Sequence, residues 1–248
     1  GEQDTAIVKY LNDKFDFYHT DLTGKTTKLQ TPYTGSEEVQ KDIFVPGNAH
    51  WELQGGRYLR AFFGAANTAG ELFRKQMTLV PKLNGSAIYA ADFETEFDIA
   101  HHSGADAASG AVAFTFRSNK VAGLVNAAER DFGDAVTLVF TRQELVIYDG
   151  VAADYDWQDL TASTNRIAWE NGTADRAHVS IKVEGLKMSV KVTSLDGATV
   201  YYAATDKPVS KNQVGYAYFT VLNSDTALAD IAIIPDEFAL QADNTVLY

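Results

Sequence analysis

Along most of residues 42 to 235 an apolar side chain returns at every second position, a period that commits the chain to extended strands with one buried and one wet face. The segment from Ala177 to Pro235 shows it most fully. Val179, Ile181 and Val183 alternate with polar neighbours, Glu184-Gly185 stands at the reversal, and Met188, Val190 and Val192 alternate on the way back, which predicts a hairpin. Asp196-Gly197 supplies a second turn before Val200-Tyr201-Tyr202, and Val214 to Leu222 and Ala229 to Ile234 are two more β-rich runs. The whole segment is expected as an antiparallel meander.

The same period organises what precedes it. Trp51 and Leu53, a Gly55-Gly56 turn and Tyr58 to Phe63 predict a hairpin. Residues Ala87 to Ala100 read as one strand, with Tyr89, Ala91, Phe93, Thr95, Phe97 and Ile99 on the packed face and Asp92, Glu94, Glu96 and Asp98 on the other. Ala111 to Arg117, Ala135 to Thr141, Glu144 to Tyr148 and Arg166 to Trp169 are further β runs, the last followed by a turn at Asn171-Gly172. Val121 to Ala128 reads equally as a loop or a short turn of helix. Near the start, Val8 to Leu11 has the look of a helical turn, and Phe15, Phe17 and His19 alternate as an edge strand would.

That makes roughly a dozen strands and no helix longer than about two turns. With no helices to cover a parallel sheet, two antiparallel sheets packed face to face are the way to bury these faces. No fixed repeat points to a propeller or solenoid. A sandwich of this kind accommodates all 248 residues, so 1–248 is expected to be a single domain, with 1–41 its least readable part. The net charge of −12, without a Lys/Arg run, argues against a nucleic-acid partner. Absence of cysteine removes disulfides, thiol catalysis and cysteine-based zinc sites. No apolar run approaches the roughly 18 residues of a membrane span.

Several stretches together resemble the concanavalin A-like lectin/glucanase superfamily, a jelly-roll sandwich shared with laminin-G-like modules. They are the hairpin with Trp51 and Gly55-Gly56, the Asp92 to Ile99 strand, Ser109-Gly110-Ala111-Val112-Ala113-Phe114, the Val179 to Val192 hairpin, and Val214-Gly215-Tyr216 followed by Asp230-Ile231-Ala232-Ile233. The resemblance implies the fold; the superfamily hosts lectins, hydrolases, lyases and structural modules alike.

Three groups of residues are candidates for chemistry. Carboxylates at i and i+2 of a strand have Cα atoms about 6 to 7 Å apart, within reach of the roughly 5 to 5.5 Å carboxyl separation of retaining glycosidases. Glu94, Glu96 and Asp98 form such a row, though a solvated charged outer face is the simpler explanation of it. Glu96-Phe97-Asp98-Ile99-Ala100-His101 is similar to the Glu-x-Asp-x-x-Glu strand of family 16 glucanases; the likeness implies Glu96 as nucleophile and Asp98 as its helper, and puts His101 where the acid/base carboxylate would be.

Rings stack on the apolar face of a pyranose. Trp157 in the Asp/Tyr-rich loop Asp149 to Thr164, with Tyr155 and Tyr148, is the sequence's candidate for that, whereas Trp51 and Trp169 are read as core. Asp154, Asp156 and Asp159 have the hard oxygens calcium prefers, as do Asp131 and Asp134, but aspartates also serve turns. His19, His50 and His178 are scattered and form no catalytic spacing. Asn84-Gly85-Ser86 and Asn171-Gly172-Thr173 match the glycosylation pattern and read equally as turns.

The expectation is therefore a non-catalytic carbohydrate-binding module that binds an oligosaccharide or polysaccharide outside the cytoplasm, with calcium as an optional cofactor. The alternatives are a glycoside hydrolase or lyase using the acidic strand, and a structural or adhesive module with no small ligand.

Overall fold

A computed structural model describes residues 8–11, 15–20, 26–28, 50–54, 58–62, 75–83, 85–101, 110–120, 135–150, 165–209, 212–223, 231–243 and 246–247. These hold 18 strands and no helix. The first six are β1 (Val8–Leu11), β2 (Phe15–Thr20), β3 (Thr26–Lys28), β4 (His50–Gln54), β5 (Tyr58–Phe62) and β6 (Lys75–Leu83). Then come β7 (Ser86–Ala90), β8 (Asp92–His101), β9 (Gly110–Ser118), β10 (Ala135–Phe140), β11 (Glu144–Gly150) and β12 (Arg166–Ala168). The last are β13 (Arg176–Glu184), β14 (Lys187–Thr193), β15 (Val200–Pro208), β16 (Gly215–Asn223), β17 (Ile231–Asp243) and β18 (Val246–Leu247).

They pair antiparallel in two sheets. The first sheet, of eight strands, runs β15-β14-β13-β8-β17-β5-β4, with β1 also on β17. The second, of ten, runs β12-β11-β10-β9-β16-β7-β6-β2-β3, with β18 on β7.

The faces the period marks as apolar meet between the sheets. From the first sheet come Phe93, Phe97 and Ile99 of β8, with Val179, Ile181, Val183, Met188, Val190 and Val192 of the β13–β14 hairpin. Phe97 sits at the centre, its ring 4.9 Å from Phe219, 5.5 Å from Phe114 and 6.1 Å from Phe140 of the second sheet. A buried side chain of this size contributes about 1.5–3 kcal/mol by leaving water. Trp169 is buried as expected, its indole N–H donating to the Thr141 carbonyl at 2.9 Å. The Glu170 amide donates to Tyr201 and the Ala174 amide to Arg142, so the turn after β12 ties the edges of both sheets together. The second sheet is buried on its far face as well, at Ala113, Thr115, Thr137, Val139, Tyr218 and Thr220. That is why β10 reads as an unbroken run, AVTLVF, all six residues buried.

The expected hairpins form. β4 pairs with β5, and β13 with β14 in the register Val179↔Val192, Ile181↔Val190, Val183↔Met188. Four expectations are corrected. Residues 87 to 100 are two strands in different sheets, not one. In β7 the core residues are Ile88 and Ala90; in β8 they are Phe93, Phe97 and Ile99, so the phase slips where the chain crosses between sheets at Ala91. The segment from 177 to 235 is a meander only through β15. β16 then crosses to the second sheet and β17 returns to the first, so neither adds beside β15. Val8–Leu11 is a strand on β17 instead of a helical turn, and β2 lies between β6 and β3, not at the edge. Backbone pairing outweighs local propensity in both places.

Candidate functional site: a polar groove on the first sheet

β8 and β13 are neighbours, and their register sets each outward carboxylate of β8 opposite an outward polar residue of β13: Asp98↔His178, Glu96↔Ser180 and Glu94↔Lys182. Each facing pair interacts, as directly opposed cross-strand residues do. His178 Nδ1 lies 2.5 Å from Asp98 Oδ1, and Nε2 of the same ring 3.5 Å from Glu96 Oε1. Ser180 donates its hydroxyl to Glu96 at 3.2 Å, and Lys182 Nζ stands 3.7 Å from both Glu94 and Glu184. Asp92, at the end of the row, accepts the Gly185 amide at 2.9 Å and faces Arg117 at 3.4 Å. The acidic row is thus matched residue by residue by its neighbour strand. The hydrogen bond to Asp98 is the main cause that raises the His178 pKa above 6.5; burial opposes it, and Glu96 adds to it.

The pairing continues outward, with Ser180↔Lys191 and Lys182↔Ser189 between β13 and β14 and Lys191↔Ala203 between β14 and β15. Over these rows lies a groove of about 450 Å³. Small side chains, Ser180, Ser189, Ala203 and Thr205, alternate there with Glu94, Glu96, Lys182 and Lys191. Among the described residues that line it there is no aromatic side chain. The groove therefore presents carboxylate acceptors, ammonium donors and hydroxyls at close spacing, a set suited to hydrogen-bonding a polyhydroxylated ligand.

Of the sequence's candidates, Glu94 and Glu96 come together in this groove. Asp98 does not line it: the residue is 8 % exposed, and its carboxylate is engaged by His178. His101 ends β8 opposite Ile231 of β17; its side chain lies outside the described residues. Tyr148 is 2 % exposed, which leaves no ring face for a sugar, because its position in β11 turns it into the buried far side of the second sheet. Tyr155, Trp157, Asp154, Asp156, Asp159, Asp131, Asp134 and the Val121 to Ala128 stretch lie outside the described residues.

Among the described residues no three His, Asp or Glu side chains are gathered as a metal would need, and the nearest approach, Glu96–His178–Asp98, is satisfied by its own hydrogen bonds. Calcium does not fit there. His178, Ser180, Lys182 and Lys191 are the residues sequence reasoning missed. Their outward alternation in the hairpin was the available signal, but β8 as their neighbour was not readable, since His178 and Asp98 are 80 positions apart. Asn171 donates its amide to the Val200 carbonyl at 2.9 Å with φ 61°, so it serves a turn.

No protein-family model matches the sequence, and no curated protein matches it. Solved structures do resemble it. The VIP36 exoplasmic/lumenal domain in its Ca2+/Man3GlcNAc-bound form aligns with a TM-score of 0.52 and 10% identity over 78% of this chain and 81% of that one. A seed lectin isoform from Lotus tetragonolobus gives 0.50 and 11% over 86% and 99%. Such likeness establishes the fold alone: this chain is a two-sheet antiparallel jelly-roll sandwich, as those lectins are.

Proposed function

We propose that this chain is a non-catalytic carbohydrate-binding module working outside the cytoplasm, with the groove over β8, β13, β14 and β15 as its principal site. The observation that carries the reading is the groove's lining, where two carboxylates, two ammonium groups and three hydroxyls converge on one concavity. Binding is favoured over catalysis because Asp98, the helper in the glucanase-like pattern, is given over to His178 outside the groove. The fold agrees with this, since VIP36 has been captured with Man3GlcNAc and Ca2+. In this proposal Trp157 and Tyr155 supply a stacking role toward sugar, and Asp154, Asp156 and Asp159 the oxygen ligands of a calcium ion.

A glycan array followed by calorimetry tests the proposal, run in calcium and again in EDTA. An oligosaccharide is expected to bind and to remain uncleaved, and Lys191→Ala or Glu96→Gln to weaken it about tenfold, the loss of one charged hydrogen bond. An array without a ligand overturns the reading. Cleavage that Glu96→Gln abolishes would replace it with the hydrolase alternative. An affinity unchanged in Trp157→Ala or in EDTA removes the loop ring or the calcium from it.

A further inference from the structure

The aromatic platform that the groove lacks is found on the other sheet. Tyr89 of β7 and Tyr216 of β16 are direct cross-strand partners, and Tyr216 is in turn opposite Ser118 of β9, so one row crosses three strands. The two rings meet edge to face, centroids 4.9 Å apart at 66°. Both are partly exposed, whereas Tyr218, two positions further along the same face, is fully buried. Beside them lies a cavity of about 440 Å³, completed by Asn119, Asn212 and Val214, the last 39 % exposed.

Its walls are held by backbone. The Asn212 amide donates to the Arg117 carbonyl at 3.0 Å, and the Asn212 carbonyl accepts from the Arg117 guanidinium at 3.1 Å. Ser118 Oγ accepts the Lys120 amide at 3.0 Å. At Gly215 a Cβ would lie 2.3 Å from the Arg117 carbonyl carbon, so only glycine lets β16 come this close and set Tyr216 beside Tyr89. No charged side chain is among the described residues that line the cavity, in contrast to the groove on the first sheet.

We infer that the Tyr89–Tyr216 pocket is a second binding site, for one neutral pyranose ring: the tyrosines cover the ring's apolar face, while the Asn119 and Asn212 side-chain amides meet its hydroxyls and the buried Ser118 forms the pocket floor. The inference extends the carbohydrate reading and makes the module bivalent, with a charged groove on one sheet and an uncharged aromatic pocket on the other. A pocket of this size and rigidity needs little reorganisation to bind.

The test is a 1H–15N NMR titration of the whole chain with methyl α-mannopyranoside, methyl β-glucopyranoside and methyl β-galactopyranoside. At least one is expected to shift the Ser118, Asn119, Asn212 and Tyr216 resonances, with affinity reduced roughly tenfold in Tyr216→Ala and in the surface variant Asn119→Ala, and unchanged in Lys191→Ala. If none of the three shifts those resonances, or if both pocket variants bind as the parent does, the pocket is not a sugar site. Should Lys191→Ala abolish array binding while the pocket variants leave it intact, the groove stands and the pocket falls; the reverse pattern leaves the pocket standing and removes the groove.

Discussion

His178 has a carboxylate for each ring nitrogen, Asp98 at Nδ1 and Glu96 at Nε2, so protonation is favoured in the folded chain more than in the unfolded one. A histidine whose folded pKa is raised adds stability that is fully present below its unfolded pKa of about 6.5 and is lost as pH climbs through the higher folded value. Two outcomes follow at this scale. The imidazole of His178 titrates above 6.5 by NMR, and Asp98→Asn brings the midpoint down. The stability advantage of the parent over His178→Gln shrinks as pH rises through the folded midpoint. A ring that titrates at or below 6.5 would refute both.

At the scale of elements, the β13–β14 hairpin joins the site to the rest of the fold. Its turn residue Gly185 has φ of 59°, a left-handed backbone that costs a residue bearing a Cβ about 1–2 kcal/mol. The Gly185 amide donates to Asp92 at 2.9 Å and its carbonyl accepts from Arg117 at 2.6 Å, so the turn cannot relax to another conformation without loss. A Cβ there would meet nothing within 4 Å, which makes the cost purely one of backbone. Urea denaturation of Gly185→Ala should therefore show a loss of about 1–2 kcal/mol, while Leu186→Ala, at an exposed neighbouring position, should stay within about 0.5 kcal/mol of the parent. Equal effects of the two substitutions would mean that the turn is not held as described.

Across the whole molecule, one buried cation fastens the layers. Arg117 of the second sheet is 1 % exposed and donates to the carbonyls of Ala91, where the chain changes sheets, of Gly185 in the first sheet's hairpin, and of Asn212 before β16. Burial lowers its pKa and Asp92 partly offsets that. Arg117→Met would strand those carbonyls and is expected to cost about 3–5 kcal/mol, the usual penalty for breaking a buried charged network. Arg117→Lys should recover only part, since an ammonium lacks the planar fork that reaches three segments at once. Calorimetric melting checks both, and a melting temperature in Arg117→Met equal to the parent's would show that the sheets hold together without it.

Strands, hairpins and the buried sides of β8, β13 and β14 were legible in the sequence by itself, because side-chain alternation and turn residues such as Gly185 act between near neighbours. The acidic row was legible too, but not its answer. Which strand lies beside β8, that the chain changes sheets at Ala91, that Tyr148 faces inward, and that Tyr89 meets Tyr216 were decided only in the tertiary structure. Those facts depend on register between strands far apart in the chain, and a period of two carries the face of each residue but no information on its neighbour across the sheet.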